Sequence, residues 1–181
     1  MNRFGYRVES LRPGHDRATF RCGVPELDDY FHHQAGQDLR RKVAAPFVML
    51  DKMGAIVGYY TLSAYSVHLG ELPDPVAQKL PRYPLLPATL LGRLAVSQEH
   101  RGQKIGRLLL TDALHRSWRN TAEVASLGVV VEALDEPARA FYQHHEFAPL
   151  ADHPNKLFIA MATLDKLFRA HERRRIGVKN G

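Results

Sequence analysis

The chain has 181 residues, of which 45% are hydrophobic, and it carries a formal net charge of +6 at neutral pH. This composition excludes a disordered polymer, and the length predicts a globular domain with a substantial core. The single cysteine, Cys22, excludes a disulfide scaffold, and no segment approaches the ~18 consecutive apolar residues of a membrane span. We therefore expect a cytoplasmic protein with an anionic partner: a phosphorylated cofactor, a nucleic acid or an acidic protein.

The N-terminal segment contains a strand pattern followed by a helix pattern. In the segment Tyr6–Leu11, apolar residues alternate with charged ones, which predicts an edge strand. A helix is predicted over Glu26–Leu39, because its apolar residues recur at helical spacing. Adjacent side chains on a helix point about 100° apart, so His32 and His33 are interpreted as solvated or partly packed side chains rather than a chelating pair.

A β-hairpin and a proline-rich loop follow. The runs Pro46–Leu50 and Ala55–Val67 are rich in strand-forming residues and are separated by a turn. Gly58 lies inside the second run and indicates a bulge or a close backbone approach. Residues 70–87 contain five prolines. We predict an ordered loop there, with one short helical turn around Val76–Leu80, that forms a wall on the substrate side.

The middle of the chain predicts a strand, a loop and a helix in direct succession. Ala88–Val96 is almost entirely apolar, as in a strand buried on both faces, except that the charge of Arg93 needs a partner or a route to solvent. Arg101–Gly106 forms the loop, and the helix follows over Arg107–Ala122. A second strand at Val129–Val131 implies a right-handed crossover. Loop N–H groups that precede a helix N-terminus form a phosphate-binding arrangement.

The C-terminal part begins with a helix start signal. Asp135-Glu136-Pro137 combines an acidic cap with proline in the first turn, before a short helix predicted over Ala138–His145. Leu157–Met161 supplies a last strand. We divide the chain into a main domain, residues 1–164, and a C-terminal helix with a basic tail, residues 165–181, that frays from His171 onward.

Several of these segments together resemble one enzyme family. The strand LGRLAV, the loop RGQKIGR and the later stretch ARAFYQHHEF resemble the GNAT (Gcn5-related N-acetyltransferase) superfamily. The motif FRCG, followed by LDDYF and by VGYYTLSAYSV, narrows the resemblance to the TacT-, AtaT- and ItaT-type acetyltransferase toxins of bacterial toxin–antitoxin pairs. The resemblance extends from Tyr6 to Leu164. It implies an α/β (α+β) GNAT fold, with a mixed central β-sheet, a splayed pair of central strands and flanking helices.

The resemblance also implies an activity and the residues that perform it. The activity is acetyl-CoA-dependent N-acetyltransfer to the α-amino group of aminoacyl-tRNA, which inhibits translation. Tyr142 matches the family's general acid, and the N–H of Val96 is the candidate that polarises the thioester carbonyl. The implied cofactor-binding residues are Leu94, Ala95, Val96, Arg101, Gly102, Gln103, Lys104, Ile105, Gly106, Arg107, Asp135 and Phe141. The implied partners are acetyl-CoA, aminoacyl-tRNA, a ribbon-helix-helix antitoxin and a second copy of the chain in a homodimer.

Two positions depart from the family pattern. Lys104 occupies the central glycine position of the loop, where it either adds a phosphate contact or adopts a strained positive φ. Glu146 replaces the glycine that precedes the final phenylalanine of the motif, so the preceding helix loses its usual C-terminal glycine.

The residues favour an α-amine as the acetyl acceptor. No obvious general base is present, and an α-amine has a pKa near 8 against about 10.4 for lysine. A lysine substrate would need a stronger base, for which Glu132 and Asp135 are weak candidates. Candidate tRNA contacts are Arg40, Arg41, Arg82 and Arg93, with Lys42, Lys79 and the run Arg173–Arg175 as further basic residues.

Two alternative functions remain open. One is a non-toxic GNAT enzyme that acetylates a small amine or a protein N-terminus. The other is an acetyl-CoA-binding module whose catalysis has decayed, which the lysine at position 104 suggests. The ten histidines form no metal-binding motif, so no metal is expected.

Overall fold

The computed structural model describes residues 5–177, and the side chains of His171 and of residues 173–177 lie outside what it describes. The strands are β1 (Arg7–Ser10), β2 (Ala45–Leu50), β3 (Ile56–His68), β4 (Leu85–Val96), β5 (Gly128–Glu132), β6 (Ala148–Leu150) and β7 (His153–Ala160). The helices are α1 (Pro25–Asp29), α2 (Ala35–Arg41), α3 (Asp74–Ala77), α4 (Ile105–Asn120), α5 (Glu136–His144) and α6 (Met161–Gly177), with a π-helical turn at Tyr30–Gln34 and 3-10 turns at Leu69–Glu71 and Gln98–His100.

The strands form a mixed α/β arrangement in one sheet. Their order is β1-β2-β3-β4-β5-β7-β6, so β4 and β5 are neighbours although α4 separates them in the chain. The chain divides into two compact units, residues 1–63 with 91–113 and residues 64–90 with 114–181. The long strands β3 and β4 contribute residues to both units. The predicted α/β fold class is confirmed.

The first unit is built from an antiparallel β1-β2-β3 sheet and the helical segment α1, π turn and α2. Aromatic rings fill its core: Phe31 stacks on Tyr59 with a centroid distance of 4.2 Å, and Phe20 meets both rings edge-on. The Tyr59 hydroxyl donates to the Leu27 carbonyl at 2.8 Å. A buried hydroxyl that keeps a hydrogen bond avoids the penalty of an unsatisfied polar group.

The second unit contains the antiparallel strands β5, β7 and β6. Val67, Leu86, Val130 and Phe158 are buried together in its core. The indole N–H of Trp118 donates to Asp165 at 3.0 Å, which ties α4 residues of this unit to α6. No helix in the described part of the chain is both long enough and apolar enough to cross a membrane.

Gly58 has both of the features that its position in β3 predicts. The pairing of β2 and β3 shifts register between Met49 and Leu50, which face Gly58 and Ile56. A Cβ atom at Gly58 would also lie 2.9 Å from the Ala95 carbonyl oxygen and 2.6 Å from Leu109 Cδ1. Only glycine therefore allows β3, β4 and α4 to approach this closely within the first unit.

The N-terminal helix contains a π turn that the sequence pattern does not predict. Residues Tyr30–Gln34 have π-helical geometry between α1 and α2, where a continuous helix over Glu26–Leu39 was expected. The Arg17 guanidinium donates to the Phe31 carbonyl at 2.9 Å, so a side chain from outside the helix binds a backbone carbonyl of this turn. A group that competes for backbone carbonyls is one of the causes of such irregular turns.

Some element ends differ from those predicted. β4 begins at Leu85 rather than at Ala88, because Pro87 lacks only an N–H donor and its carbonyl still accepts from Leu127 at 2.9 Å. The chain was expected to fray from His171 onward, but α6 continues to Gly177, so this prediction is wrong for residues 171–177. The glutamate and arginines of this segment are good helix formers. Residues 178–181 lie outside the described part of the chain.

Candidate active site

The loop between β4 and α4 carries the geometry of an anion-binding turn. β4 ends at Val96, a 3-10 turn follows, and α4 begins at Ile105. Gly102 has φ +75° and Lys104 has φ +62°, so two left-handed residues redirect the backbone within this loop. Loops with left-handed residues group backbone N–H donors into anion-binding concavities, and the first N–H groups of a helix have no acceptor within the helix.

Lys104 adopts the positive φ considered for it, with φ +62°, while its contact with a phosphate stays a prediction. It lies directly before α4, and its carbonyl accepts the N–H of Leu108 at 3.2 Å, as expected of an N-cap residue. Its left-handed conformation costs on the order of 1 kcal/mol for a residue with a Cβ. Its side chain is exposed, as are those of Arg101 and Arg107, so three cations surround the loop. Next to them, Ile105 is only 1% exposed and anchors the loop in the core.

The end of β4 directs the Val96 N–H group away from β3. The N–H of Ser97 donates to the Val57 carbonyl of β3 at 2.9 Å. Successive peptide groups in a strand point in opposite directions. The N–H of Val96 therefore points to the side of β4 that does not face β3. Ala95 is buried, whereas Leu94 and Val96 are partly exposed.

A turn formed by Phe20–Gly23, here called the FRCG turn, supports the segment that leads into this loop. The backbone N–H of Gln98 donates to the Arg21 carbonyl at 2.9 Å. The guanidinium of Arg101 donates to the Cys22 carbonyl at 2.5 Å. The sequence motif pointed to a resemblance but not to this contact. Arg101 was predicted to bind the cofactor, but its side chain binds the Cys22 carbonyl. Only its backbone belongs to the loop.

Tyr142 lies on α5, whose two ends are both capped. At the N-terminus, the Asp135 carboxylate accepts from the Ala138 N–H at 2.8 Å. At the C-terminus, the N–H of Phe147 donates to the Tyr142 carbonyl at 3.2 Å and the N–H of Glu146 donates to the Gln143 carbonyl at 3.1 Å. These two bonds form a Schellman motif, in which Glu146 takes the left-handed position with φ +69°.

The environment of Tyr142 keeps its hydroxyl protonated. The residue is 7% exposed, and its ring packs against Phe141 and Phe147 at centroid distances of 5.3 and 5.4 Å. Burial raises the pKa of Tyr142 above its ordinary value. Because a thiol has a pKa near 8.5, full proton transfer from this tyrosine to a free thiolate is uphill. As a general acid it would share its proton while the carbon–sulfur bond breaks.

Two further residues that the resemblance assigns to the cofactor belong to the same element, Asp135 as the N-cap of α5 and Phe141 within the helix. The Asp135 carboxylate is used as the N-cap described above, and the Asp135 backbone carbonyl accepts the N–H of Arg139 at 3.0 Å. The ring of Phe141 packs against His145 at a centroid distance of 4.6 Å. Their contact with a cofactor stays a prediction.

The four candidate tRNA-binding arginines lie in different parts of the chain. Arg40 and Arg41 are exposed in the last turn of α2, and Arg82 is exposed between α3 and β4. Arg93 is partly buried, with its Cζ 3.5 Å from the centroid of the Tyr30 ring. The sequence predicted that this buried charge needs a partner, and the cation–π contact with Tyr30 provides it. The side chains of Arg173–Arg175 lie outside those described. The described residues contain no metal-binding group of three His, Cys, Asp or Glu side chains.

The fold is a mixed α/β sheet in which β4 leads through a loop with three exposed cations into the N-terminus of α4. Residues 44–149 match the acetyltransferase (GNAT) domain family. This match covers more than half of the chain, and the chain belongs to that family. The predicted membership in the GNAT superfamily is therefore confirmed.

The chain is also similar to known toxins over most of its length. It is 33% identical over 146 residues to the tRNA-acetylating toxin of Mycobacterium tuberculosis, which covers 81% of this chain and 86% of that protein. The structure of AtaT complexed with acetyl-methionyl-tRNAfMet is similar with a TM-score of 0.84 and 28% identity, over 90% of this chain and 99% of that one. A mutant AtaT bound to the C-terminus of the antitoxin AtaR and acetyl-CoA gives a TM-score of 0.77 and 25% identity, over 91% and 98%.

Proposed function

We propose that this protein is an acetyl-CoA-dependent N-acetyltransferase that acetylates the α-amino group of aminoacyl-tRNA and thereby inhibits translation. The observation that carries the proposal is the loop at residues 101–107, with two left-handed residues, three exposed cations and the N-terminus of α4. The similarity to toxins that acetylate tRNA supports the choice of acceptor.

The residues of the loop fit the diphosphate of acetyl-CoA. Backbone N–H groups of Gly102, Lys104, Ile105, Gly106 and Arg107 would bind the phosphate oxygens, because helix N-termini and left-handed turns bind anions. The exposed side chains of Lys104 and Arg107 add positive charge. Leu94, Ala95 and Val96 would bind the pantetheine arm through their backbone.

Acetyl-CoA supplies the acetyl group as a thioester. The acceptor nitrogen forms a bond to the carbonyl carbon while the carbon–sulfur bond breaks, so the nitrogen loses one proton and the sulfur gains one. The Val96 N–H would stabilise the negative charge on the carbonyl oxygen. The Tyr142 hydroxyl would supply the proton to the sulfur, and the proton that the nitrogen loses would return to Tyr142 through solvent. The raised pKa of Tyr142 keeps it in the acid form at neutral pH.

The absence of an obvious base among the predicted site residues favours an α-amine. An amine with a pKa near 8 is partly neutral at cellular pH, and it attacks without prior removal of a proton. The basic residues Arg40, Arg41, Arg82 and Arg93 would contact the tRNA backbone, which provides affinity without sequence readout. We place the protein in the cytoplasm, where its substrates are found.

We also propose that an antitoxin neutralises the protein, as the complex of AtaT with the antitoxin AtaR suggests by similarity. A ribbon-helix-helix protein is the predicted partner, and a homodimer is the predicted state of this chain. A short neighbouring reading frame that encodes such a partner, and that relieves growth inhibition when both are expressed, would support this part of the proposal.

The activity is tested with purified protein and labelled acetyl-CoA. We expect label on bulk charged tRNA, released as N-acetylated amino acids after mild alkaline hydrolysis, and no label on uncharged tRNA. Free amino acids, polyamines and peptides with a free N-terminus form the comparison panel. Label on small amines alone would overturn the tRNA assignment in favour of a non-toxic acetyltransferase. Tight acetyl-CoA binding with no transfer to any acceptor would identify a cofactor-binding module.

A further inference from the structure

The FRCG turn contacts the loop segment at three places within the first unit. Two are hydrogen bonds, from the Gln98 N–H to the Arg21 carbonyl and from the Arg101 guanidinium to the Cys22 carbonyl. The third is close packing: a Cβ at Gly23 would lie 2.2 Å from the side-chain nitrogen of Gln98 and 2.9 Å from the guanidinium of Arg101. Gly23 also has φ +83°, a conformation that favours glycine.

Asp28 holds the other side of the FRCG turn. Its carboxylate, on α1, accepts the backbone N–H of Cys22 at 2.7 Å and that of Gly23 at 3.2 Å. Burial alone would raise the pKa of Asp28, but hydrogen bonds from Cys22 and Gly23 outweigh burial and lower this pKa below its usual value. The carboxylate therefore stays ionised at neutral pH, and charge-assisted bonds of this kind are stronger than neutral ones.

These contacts form one continuous connection from α1 to the loop. The Asp28 carboxylate orients the peptides of Cys22 and Gly23, the Cys22 carbonyl then binds Arg101, and Arg101 is the first residue of the loop. The loop contains a non-glycine residue with φ +62°, Lys104, and such strained backbone persists only when its surroundings hold it. A loop that is already held in its bound conformation binds its ligand more tightly.

We propose that Asp28 is a positioning residue for acetyl-CoA, which acts through the FRCG turn and Arg101 on the loop that binds the diphosphate. This inference rests on the proposed function, because it takes acetyl-CoA as the ligand of the loop. It assigns the guanidinium of Arg101 to the Cys22 carbonyl rather than to a phosphate. It also explains why FRCG and LDDYF occur together: the first motif supplies the turn and the second supplies the carboxylate that holds it.

The test compares Asp28→Asn with Asp29→Asn. An asparagine at position 28 keeps one acceptor oxygen but turns an amide donor toward a backbone N–H, so at least one of the two bonds is lost. Asp29 is the matched control, since it is the next residue of α1, its side chain is 72% exposed, and its carboxylate lies 3.7 Å from the His33 ring nitrogen rather than on the FRCG turn. We expect Asp28→Asn to weaken acetyl-CoA binding by about fivefold to tenfold in calorimetry, and Asp29→Asn to leave it unchanged.

The kinetic pattern separates positioning from a general loss of structure. We expect Asp28→Asn to raise KM for acetyl-CoA while KM for the acceptor and kcat at saturating acetyl-CoA stay at wild-type values. A lower apparent kcat with both KM values unchanged would mean that only the fraction of active enzyme has fallen, and it would overturn the inference. Binding is measured at a temperature where thermal unfolding curves show both variants to be folded.

A double-mutant cycle with Arg101→Gln tests the route. Arg101 is exposed, so this variant tests the contact with little risk to folding. If Asp28 acts through Arg101, the effect of Asp28→Asn on acetyl-CoA affinity becomes much smaller in the Arg101→Gln background. Full additivity would mean that Asp28 does not act through Arg101 and would overturn this route. A loss of affinity in Arg101→Gln with none in Asp28→Asn would also overturn it and would favour direct binding of the phosphates by Arg101. Wild-type protein that fails to bind acetyl-CoA would overturn the proposed function itself, whereas equal affinity of wild type and Asp28→Asn would overturn only this inference.

Discussion

Lys104 brings a strained backbone and a useful charge to the same position. Its φ of +62° favours glycine, whereas its exposed ammonium group lies in the loop proposed to bind the diphosphate. We predict that Lys104→Gly raises the free energy of unfolding by about 1 kcal/mol, because left-handed strain is removed, and that it weakens acetyl-CoA binding severalfold. Urea titration and calorimetry measure the two effects.

Lys104→Gln is the control for charge, since it keeps the Cβ atom and loses only the cation. It should weaken binding like the glycine variant without the gain in stability. Tighter binding by Lys104→Gly than by wild type would mean that the lysine only hinders the ligand.

Tyr142 is the residue at which burial most directly shapes the proposed chemistry. Its hydroxyl is kept protonated, and removing it leaves the packing of the ring against Phe147 in place. We predict that Tyr142→Phe lowers kcat by about a hundredfold or more, as expected for loss of a general acid, and leaves the Kd for acetyl-CoA unchanged. Unchanged turnover in Tyr142→Phe would remove its assigned role.

At the scale of the element, α5 ends in a Schellman motif whose left-handed position holds glutamate. Glu146 has φ +69°, and the resemblance had already marked this position as one where glycine is usual. We predict that Glu146→Gly stabilises the protein by about 1 kcal/mol, because glycine takes this conformation without strain. Thermal or urea unfolding measures the gain.

Lys42 provides an independent comparison for that prediction. It has φ +60° at the end of α2, where the N–H of Val43 donates to the Asp38 carbonyl at 3.0 Å, so the same motif recurs there. Lys42→Gly should give a similar gain. A loss of stability in both variants would show that the unfolded-state entropy of glycine outweighs the strain.

Glu9 gives strand β1 a stability that depends on pH. Hydrogen bonds from Arg12 and then His15 are the main causes that lower the pKa of Glu9 from 4.5 to about 2. A carboxyl group with a depressed pKa in the folded state stabilises the protein above its unfolded pKa, and this contribution is lost as the pH falls from about 4.5 to 2. We predict that Glu9→Gln lowers Tm at pH 7 and flattens the fall of Tm across this acidic range. Glu123→Gln, at an exposed position after α4, should keep the wild-type profile.

The elements that could be predicted are those whose signals are local. Asp135-Glu136-Pro137 predicts the start of α5, and the Asp135 carboxylate does cap it. The hairpin of β2 and β3 follows from two strand patterns and a turn. The π turn at Tyr30–Gln34 could not be predicted from the helix pattern. The guanidinium that donates to the Phe31 carbonyl of this turn belongs to Arg17, which lies fourteen residues away and outside that pattern.

For the whole molecule, the charge of +6 is the property that bears on its proposed substrate. Contacts between cations and phosphates release counterions, so binding of tRNA weakens steeply with salt. We predict that KM for aminoacyl-tRNA rises by about tenfold or more between 50 and 200 mM salt, measured by transfer of labelled acetyl groups. A short aminoacyl ester is the control acceptor and should show a much smaller change. Equal salt dependence for both acceptors would contradict binding through the tRNA backbone.

The sequence alone determines the family and the order of the elements. Buried strands, helix caps and the motifs LGRLAV and RGQKIGR are local patterns that are read within a few residues, and the match of residues 44–149 to the acetyltransferase family agrees with them. The tertiary structure alone decides the conformation of Lys104, the aromatic partner of Arg93 and the connection from Asp28 through Cys22 to Arg101. The two side-chain partnerships join residues far apart in the chain, and no sequence pattern encodes which side chain reaches which backbone carbonyl or aromatic ring.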